Sequence, residues 1–312
     1  MPDKVLVYPT FSKRLIDTLS ERFEPLGCGT KAPAETYSAD ELSRIEAMVS
    51  VSAPITDAVL ETLPNLKLIV CYGSGYDHID VAAAKRRGIT ICNSPNVNAA
   101  AVADLAIGLM LAVMRAIAEG DRMIRAGQWT RKMPRLRPGM SGCRVGVFGM
   151  GAIGQKIAAR AAAFEADVQY FSRRQVSDLP YGYHSSLESL VEWCDVLQIA
   201  VRAGPQTRHA IDAGMLRRLG PQGFLVNIAR GSVVDEAALL PALKDGTIAG
   251  AGLDVFEVEP NIDPAFLELP NVVLTPHQGG DTNQAHEQMR GCIMANLGAF
   301  FAGNPVPYPI AA

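Results

Sequence analysis

The chain predicts an α/β protein built from two doubly wound parallel-sheet domains. Three observations point there. Arg144 to Arg174 forms one uninterrupted unit of strand, glycine turn, helix and strand, and short apolar runs alternate with helix-like segments both before and after it. At 312 residues the chain is long enough for two domains with sizeable cores. Its 29 Lys and Arg against 32 Asp and Glu leave a formal charge of -3, which offers no electrostatic footprint for nucleic acid or a membrane surface.

In chain order, Val5 to Tyr8, Ala47 to Val51, Leu66 to Cys71 and Thr90 to Cys92 are apolar runs of buried-strand length. Helix-like segments separate them, with Thr56 and Asp80 as expected N-caps. Residues 1 to about 98 therefore form one α/β unit. Its most informative loop, Tyr72-Gly73-Ser74-Gly75-Tyr76-Asp77-His78, follows a strand directly, on the edge where open α/β sheets bind ligands. Such a loop suits a carboxylate held by backbone N–H groups, and a plain tight turn explains it equally well. Asn98 to Ala126 has the periodicity of one long helix ending at Gly127. Thr130 to Arg137 is basic and irregular, a solvated loop or an arm toward an anion.

The glycine turn then opens the second domain. Val145 to Phe148 runs into Gly149-Met150-Gly151-Ala152-Ile153-Gly154, followed by Ile157, Ala161 and Phe164 at helical spacing and a second strand from Asp167. This G-x-G-x-x-G has the strand and helix that a Rossmann dinucleotide site requires: one glycine for the turn, one for close approach of a pyrophosphate, one for helix–strand packing. An acidic side chain that would hold an NAD ribose is expected about 20 residues on, and Ser172 stands there instead. Arg173 and Arg174 follow, and guanidinium groups pair with a 2′-phosphate, so NADP(H) is the expected cofactor and NAD(H) the alternative. Val196 to Val201, Phe224 to Ile228, Ala249 to Leu253 and Val272 to Leu274 supply further strands, with helices at Leu187 to Trp193, Asp235 to Lys244 and near Thr282 to Phe301.

Three polar residues fall at or just past the C-terminal ends of successive strands: Arg230, Glu259 and His277. Each alone has a structural explanation, and Glu257 competes with Glu259 for the same role. Together they form a candidate catalytic set. Cys28, Cys71, Cys92, Cys143, Cys194 and Cys292 are scattered singly without a C-x-x-C, as for reduced thiols, so no metal site is expected. The N-terminus lacks a signal-peptide pattern and the longest apolar stretch, Ala99 to Met114, contains Asp104, so a cytoplasmic protein without a membrane partner is expected.

Four signatures now stand in order: the glycine fingerprint, Val102-Ala103-Asp104-Leu105-Ala106-Ile107-Gly108-Leu109-Met110-Leu111, Asn227-Ile228-Ala229-Arg230-Gly231-Ser232-Val233-Val234-Asp235-Glu236, and the two segments holding Glu259 and His277. With them the chain resembles the D-isomer-specific 2-hydroxyacid dehydrogenase family over essentially its full length. Through Tyr170-Phe171-Ser172-Arg173 it is most similar to the NADPH-using glyoxylate and hydroxypyruvate reductases, hydroxyphenylpyruvate reductases included. The resemblance implies a cofactor domain at 99–280 inserted in a split substrate domain, 1–98 and 281–312. It implies reduction of a small 2-oxo acid, with His277 as general acid, Glu259 orienting it and Arg230 binding the substrate. It also implies Ser74 and Gly75 as backbone donors to the substrate carboxylate, Thr207, Ile228 and Ala229 along the cofactor, Asp254 at the nicotinamide, and a homodimer. A redox-sensing corepressor on the same fold is the alternative from another class. Ala200-Val201-Arg202-Ala203-Gly204-Pro205-Gln206-Thr207 departs from the proline and leucine common in the family, so the loop beneath the nicotinamide is expected to differ in shape.

Overall fold

Short β-branched and leucine-rich runs with no polar face need cover on both sides, and parallel strands joined by crossover helices provide it. The computed structural model describes residues 2–10, 12–130 and 136–310 and shows this arrangement twice. The basic run 130–137 therefore lies mostly outside the described residues.

The first unit spans Met1–Asn98 and Thr282–Ala312. Its strands are β1 (Lys4–Tyr8), β2 (Glu24–Gly27), β3 (Ala47–Ser50), β4 (Leu68–Cys71) and β5 (Thr90–Cys92), all parallel in the order β2-β1-β3-β4-β5. Its helices are α1 (Lys13–Ser20), α2 (Pro33–Thr36), α3 (Ala39–Leu42), α4 (Asp57–Glu61) and α5 (Val81–Arg86). The side chains of Thr56 and Asp80 cap α4 and α5, accepting from the N–H groups of Val59 and Ala83. Leu6, Met48 and Ile69, with no exposed surface, centre its core, and each such side chain contributes about 1.5–3 kcal/mol by burial.

The second unit, Ala99–Asp281, opens with helices α6 (Ala99–Met114) and α7 (Ile117–Arg125). The single helix expected from Asn98 to Ala126 is thus broken, because Ala116 adopts a left-handed conformation (φ 50°) and the two helices bend by 61°. No Gly or Pro marks the break. Helix α6 is mostly apolar and largely buried, with Asp104 left exposed, whereas α7 has no buried residue. Among the described residues no single helix is long and apolar enough to cross a membrane.

Seven parallel strands follow: β6 (Arg144–Phe148), β7 (Asp167–Phe171), β8 (Gly182–His184), β9 (Val196–Ile199), β10 (Phe224–Asn227), β11 (Gly250–Leu253) and β12 (Val272–Leu274). Helices α8 (Ala152–Ala163), α9 (Leu187–Trp193), α10 (Ala213–Leu219) and α11 (Glu236–Lys244) cross between them. The order β12-β11-β10-β9-β6-β7-β8 reverses direction between β6 and β9, and open α/β sheets bind ligands beyond the strand ends at such a switch point. The last helix, α12 (Asn283–Phe301), returns to the first unit and packs on β4 and α1.

Candidate active site

The glycine turn at the switch point has room where a ligand would need it. Gly149 takes φ 102°, and a Cβ there would lie 2.7 Å from Ala200 O. At Gly154 a Cβ would lie 1.9 Å from Gly149 O, so helix and strand meet backbone to backbone. Gly151, by contrast, has no neighbour within 4 Å of the same position. It is also the N-cap of α8 and offers no side-chain cap, which leaves the first N–H groups of the helix for an anion. Met150 is buried, and Gln155 Nε2 donates to its carbonyl at 3.2 Å. The residues present therefore fit a dinucleotide pyrophosphate.

After β7, buried Tyr170 organises the following loop: its hydroxyl donates to Val176 O (3.2 Å) and accepts from Val176 N (3.0 Å). Ser172 Oγ donates to Arg174 O at 2.6 Å. Arg173 and Arg174 are exposed, and among the described residues neither forms an ion pair. After β9, Thr207 closes its own turn, with Oγ1 3.0 Å from Arg202 O and 3.2 Å from Gly204 O.

Arg230 leaves β10 in extended conformation and donates from Nη1 to Ala229 O at 2.8 Å. Ile228 and Ala229, both buried, precede it. Asn227, buried at the strand end, ties this turn by accepting from Ala229 N (3.1 Å) and donating to Arg230 O (3.0 Å). The sequence expectations give Asn227 no role, although an Asn at a strand end next to a turn is the signal for such a tie. The next residue must be glycine, since a Cβ on Gly231 would lie 1.9 Å from the carbonyl carbon of Phe256.

Asp254, at the end of β11, is 1 % exposed and holds the turn beyond β12. Its carboxylate accepts from Thr275 Oγ1 (2.6 Å), Gln278 N (2.9 Å) and Gly279 N (2.9 Å), while its carbonyl accepts from His277 N (2.8 Å). His277 is held at φ 51°, a left-handed conformation that costs a non-glycine residue about 1–3 kcal/mol and marks a position fixed by its surroundings. Its Nδ1 lies 2.6 Å from Glu259 Oε2, and Glu259 Oε1 accepts from Phe256 N at 2.9 Å. Glu259, not Glu257, faces the imidazole.

The hydrogen bond that His277 donates to Glu259 raises the His277 pKa above the ordinary histidine value; burial and the Arg230 charge oppose, and the charges of Glu259 and Asp254 add to the rise. For Glu259, burial pushes the carboxyl up. The hydrogen bonds from His277 and Phe256 N–H and the positive charges of His277 and Arg230 outweigh it, and its pKa falls below the ordinary carboxylate range. An imidazolium held by a carboxylate beside a guanidinium can donate a proton to an oxygen that gains negative charge.

Ser74 and Gly75 belong to the first unit, not to the unit of the triad. Ser74 Oγ lies 2.8 Å from Ser94 O and 3.0 Å from Asn98 Oδ1, and Asn93 Nδ2 donates to Ser74 O at 2.8 Å. The serine side chain is thus engaged within its own unit. Among the described residues there is no cluster of three or more His, Cys, Asp or Glu arranged to hold a metal.

The chain is similar in sequence and fold to known proteins. The sequence profile of the D-isomer specific 2-hydroxyacid dehydrogenase NAD binding domain matches residues 107–279. A 2-ketogluconate reductase of Gluconobacter oxydans (strain 621H) is 44% identical over 256 residues, 82% of this chain and 83% of the relative. The hydroxyphenylpyruvate reductase of Plectranthus scutellarioides is 38% identical over 307 residues, 98% of each chain. Among solved structures, the NADPH-dependent glyoxylate/hydroxypyruvate reductase of Sinorhizobium meliloti in complex with NADP and malonate superposes with a TM-score of 0.93 at 37% identity, covering 100% of this chain and 97% of that one. A switch-point glycine cradle, strand ends bearing Arg230, Glu259 and His277, and relatives matched over nearly the whole chain lead to one family: this chain belongs to the D-isomer-specific 2-hydroxyacid dehydrogenases.

Proposed function

We propose that the chain reduces a small 2-oxo acid, of the glyoxylate and hydroxypyruvate class, to the D-2-hydroxy acid, with NADPH preferred over NADH. The observation that carries this reading is the Glu259–His277 pair beside Arg230, at the strand ends of a dinucleotide-binding sheet. Relatives named as glyoxylate, hydroxypyruvate, hydroxyphenylpyruvate and 2-ketogluconate reductases support it.

A bound nicotinamide supplies the hydride. His277 holds its Nδ1 proton toward Glu259, which leaves the Nε2 proton for the carbonyl oxygen as charge grows there. Arg230 binds the substrate's oxygens with a charge that is never lost and a donor fork that matches a carboxylate. Ser74 and Gly75 are proposed as backbone donors to that carboxylate. The α8 N-terminus and Gly149 to Gly154 hold the pyrophosphate, with Thr207, Ile228, Ala229 and Asp254 along the rest of the cofactor. Asp254 has a second duty, because its carboxylate already anchors the turn that presents His277.

Ser172, Arg173 and Arg174 would hold the 2′-phosphate of NADPH. No acidic side chain stands at the ribose position to repel it, and two exposed guanidiniums follow. A panel of glyoxylate, hydroxypyruvate, 4-hydroxyphenylpyruvate and 2-ketogluconate against both cofactors tests the whole reading. Turnover is expected with kcat/KM for NADPH about 10-fold or more above NADH, and R173A/R174A should remove most of that preference. No turnover of any 2-oxo acid refutes the activity; an NADH preference refutes the cofactor assignment alone. No observation favours the redox-sensing alternative.

A homodimer through the second unit is part of the proposal. Ile117, Ile124, Trp129 and Leu136 are 57%, 61%, 71% and 91% exposed, an apolar set on and beyond α7 that a monomer would leave in water. Light scattering should give twice the chain mass, and Trp129→Glu should shift it toward one. A monomeric wild type would refute the dimer. The six buried, unpaired cysteines suit a reducing compartment such as the cytoplasm.

A further inference from the structure

The loop that carries Glu259 is held by a second histidine–glutamate pair, outside the catalytic set. His209 Nε2 is hydrogen-bonded to Glu257 Oε1. His209 ends the segment that follows β9, in a left-handed conformation (φ 48°), and its N–H donates to Ser232 O at 2.8 Å. Glu257, its partner, stands two residues before Glu259. The backbone N–H of Glu257 donates to Glu236 Oε1 at 2.8 Å, at the first residue of α11. Beneath Phe256 lies Gly231, backbone against backbone. The stretch 256–259 is therefore pinned by three separate elements, and Glu259 is left folded back onto Phe256 N–H with Oε2 toward His277.

We propose that His209 is a positioning residue for proton transfer: through Glu257 it holds the 256–259 loop in the shape that points Glu259 at His277. The inference rests on the reading of His277 as general acid. Its physical basis is the crowding of like charge around this loop. Glu236, Glu257, Glu259 and Asp263 gather there, and burial, with the charges of Glu257, Asp263 and Glu259, pushes the Glu236 carboxyl up. The basic groups facing the cluster are His209 on Glu257, and His277 and Arg230 on Glu259. Without His209, Glu257 has lost its hydrogen-bond partner, repulsion from Glu236 favours a relaxed loop, and the Glu259–His277 bond lengthens. The His209 and Glu257 side chains are 34% and 28% exposed, and ion pairs so open to solvent add little to global stability, so the effect belongs to geometry rather than folding.

The sign of one shift separates positioning from simple charge. Where His209 is protonated, deleting it removes a cation and by charge alone would raise the pKa of His277. Loss of positioning weakens the bond to Glu259 and lowers it. The test is an NMR titration of the His277 imidazole, alongside pH profiles of kcat/KM, in wild type, H209A and H209Q. In H209A the His277 midpoint should fall by about half a pH unit or more. The alkaline limb of reduction should move down with it, and kcat should drop about 10-fold while KM for NADPH changes less than about twofold. H209Q keeps a donor of similar reach and should restore most of both. An unchanged or raised His277 midpoint in H209A overturns the proposal, as does a loss confined to KM for NADPH or to thermal stability. H209N, polar but too short to reach Glu257, carries the same test should H209A not fold. The titration needs no turnover: a wild type that reduces no 2-oxo acid, yet whose His277 midpoint still follows His209, refutes the general-acid reading and leaves the positioning result standing.

Discussion

His277→Ala lowers kcat for 2-oxo acid reduction by about 10²- to 10⁴-fold, with KM changed far less, if the imidazole supplies the proton. The structure gives this prediction a pH signature. In the proposed role His277 acts as the imidazolium, and its folded pKa lies above the ordinary histidine value. Activity is therefore complete below that ordinary value and is lost as pH rises through the raised one. The Glu259 pKa is lowered, so the pair persists until pH falls below the ordinary carboxylate range. Glu259→Gln removes the charge that holds the imidazolium, and the alkaline limb should move to lower pH. In His277→Ala the limb assigned to the imidazole should vanish altogether. Wild-type kcat in His277→Ala, or an alkaline limb that survives it, would refute the general-acid role.

Much of this site is legible in the sequence because it follows from strand ends. A glycine turn between an apolar strand and a helix, and polar residues just past Asn227, Leu253 and Leu274, place ligand chemistry on one edge of a parallel sheet. What escapes has particular causes. Strand β2 reads Glu-Pro-Leu-Gly, which looks like a turn; its proline is tolerated because β2 is an edge strand. Strand β8 is three residues long, too short to show alternation. The break at Ala116 has no Gly or Pro to announce it, and the helical period runs straight through. Glu257 and Glu259 cannot be separated by spacing. The choice is made by the loop, where Phe256 N–H captures Glu259 and turns it to His277 while Glu257 goes to His209. The bonds that give Glu257 to His209 and Glu259 to His277 join residues 48 and 18 positions apart, and no local pattern encodes them.

Arg230→Ala is expected to raise KM and lower kcat together, with a loss of about 10²-fold or more in kcat/KM. A guanidinium that holds a carboxylate in the ground state and a developing oxyanion in the transition state contributes to both constants, so a kcat effect alone would argue against substrate binding by this residue. Its charge also acts on the proton donor. Arg230 lowers the pKa of His277 and of Glu259. Removing it lets the His277 pKa rise, so the alkaline limb of reduction moves to higher pH, opposite to the shift expected for Glu259→Gln. Arg230→Lys separates the two duties. Lysine keeps a positive charge and should hold the limb near its wild-type position, but it lacks the planar donor fork, so KM should stay high. An Arg230→Ala enzyme with unchanged KM and an unmoved alkaline limb would place Arg230 outside both the substrate contact and the field that tunes His277. Opposed shifts in the Arg230 and Glu259 variants would show that the His277 midpoint is a balance, with the carboxylate favouring the proton and the guanidinium favouring its release to substrate.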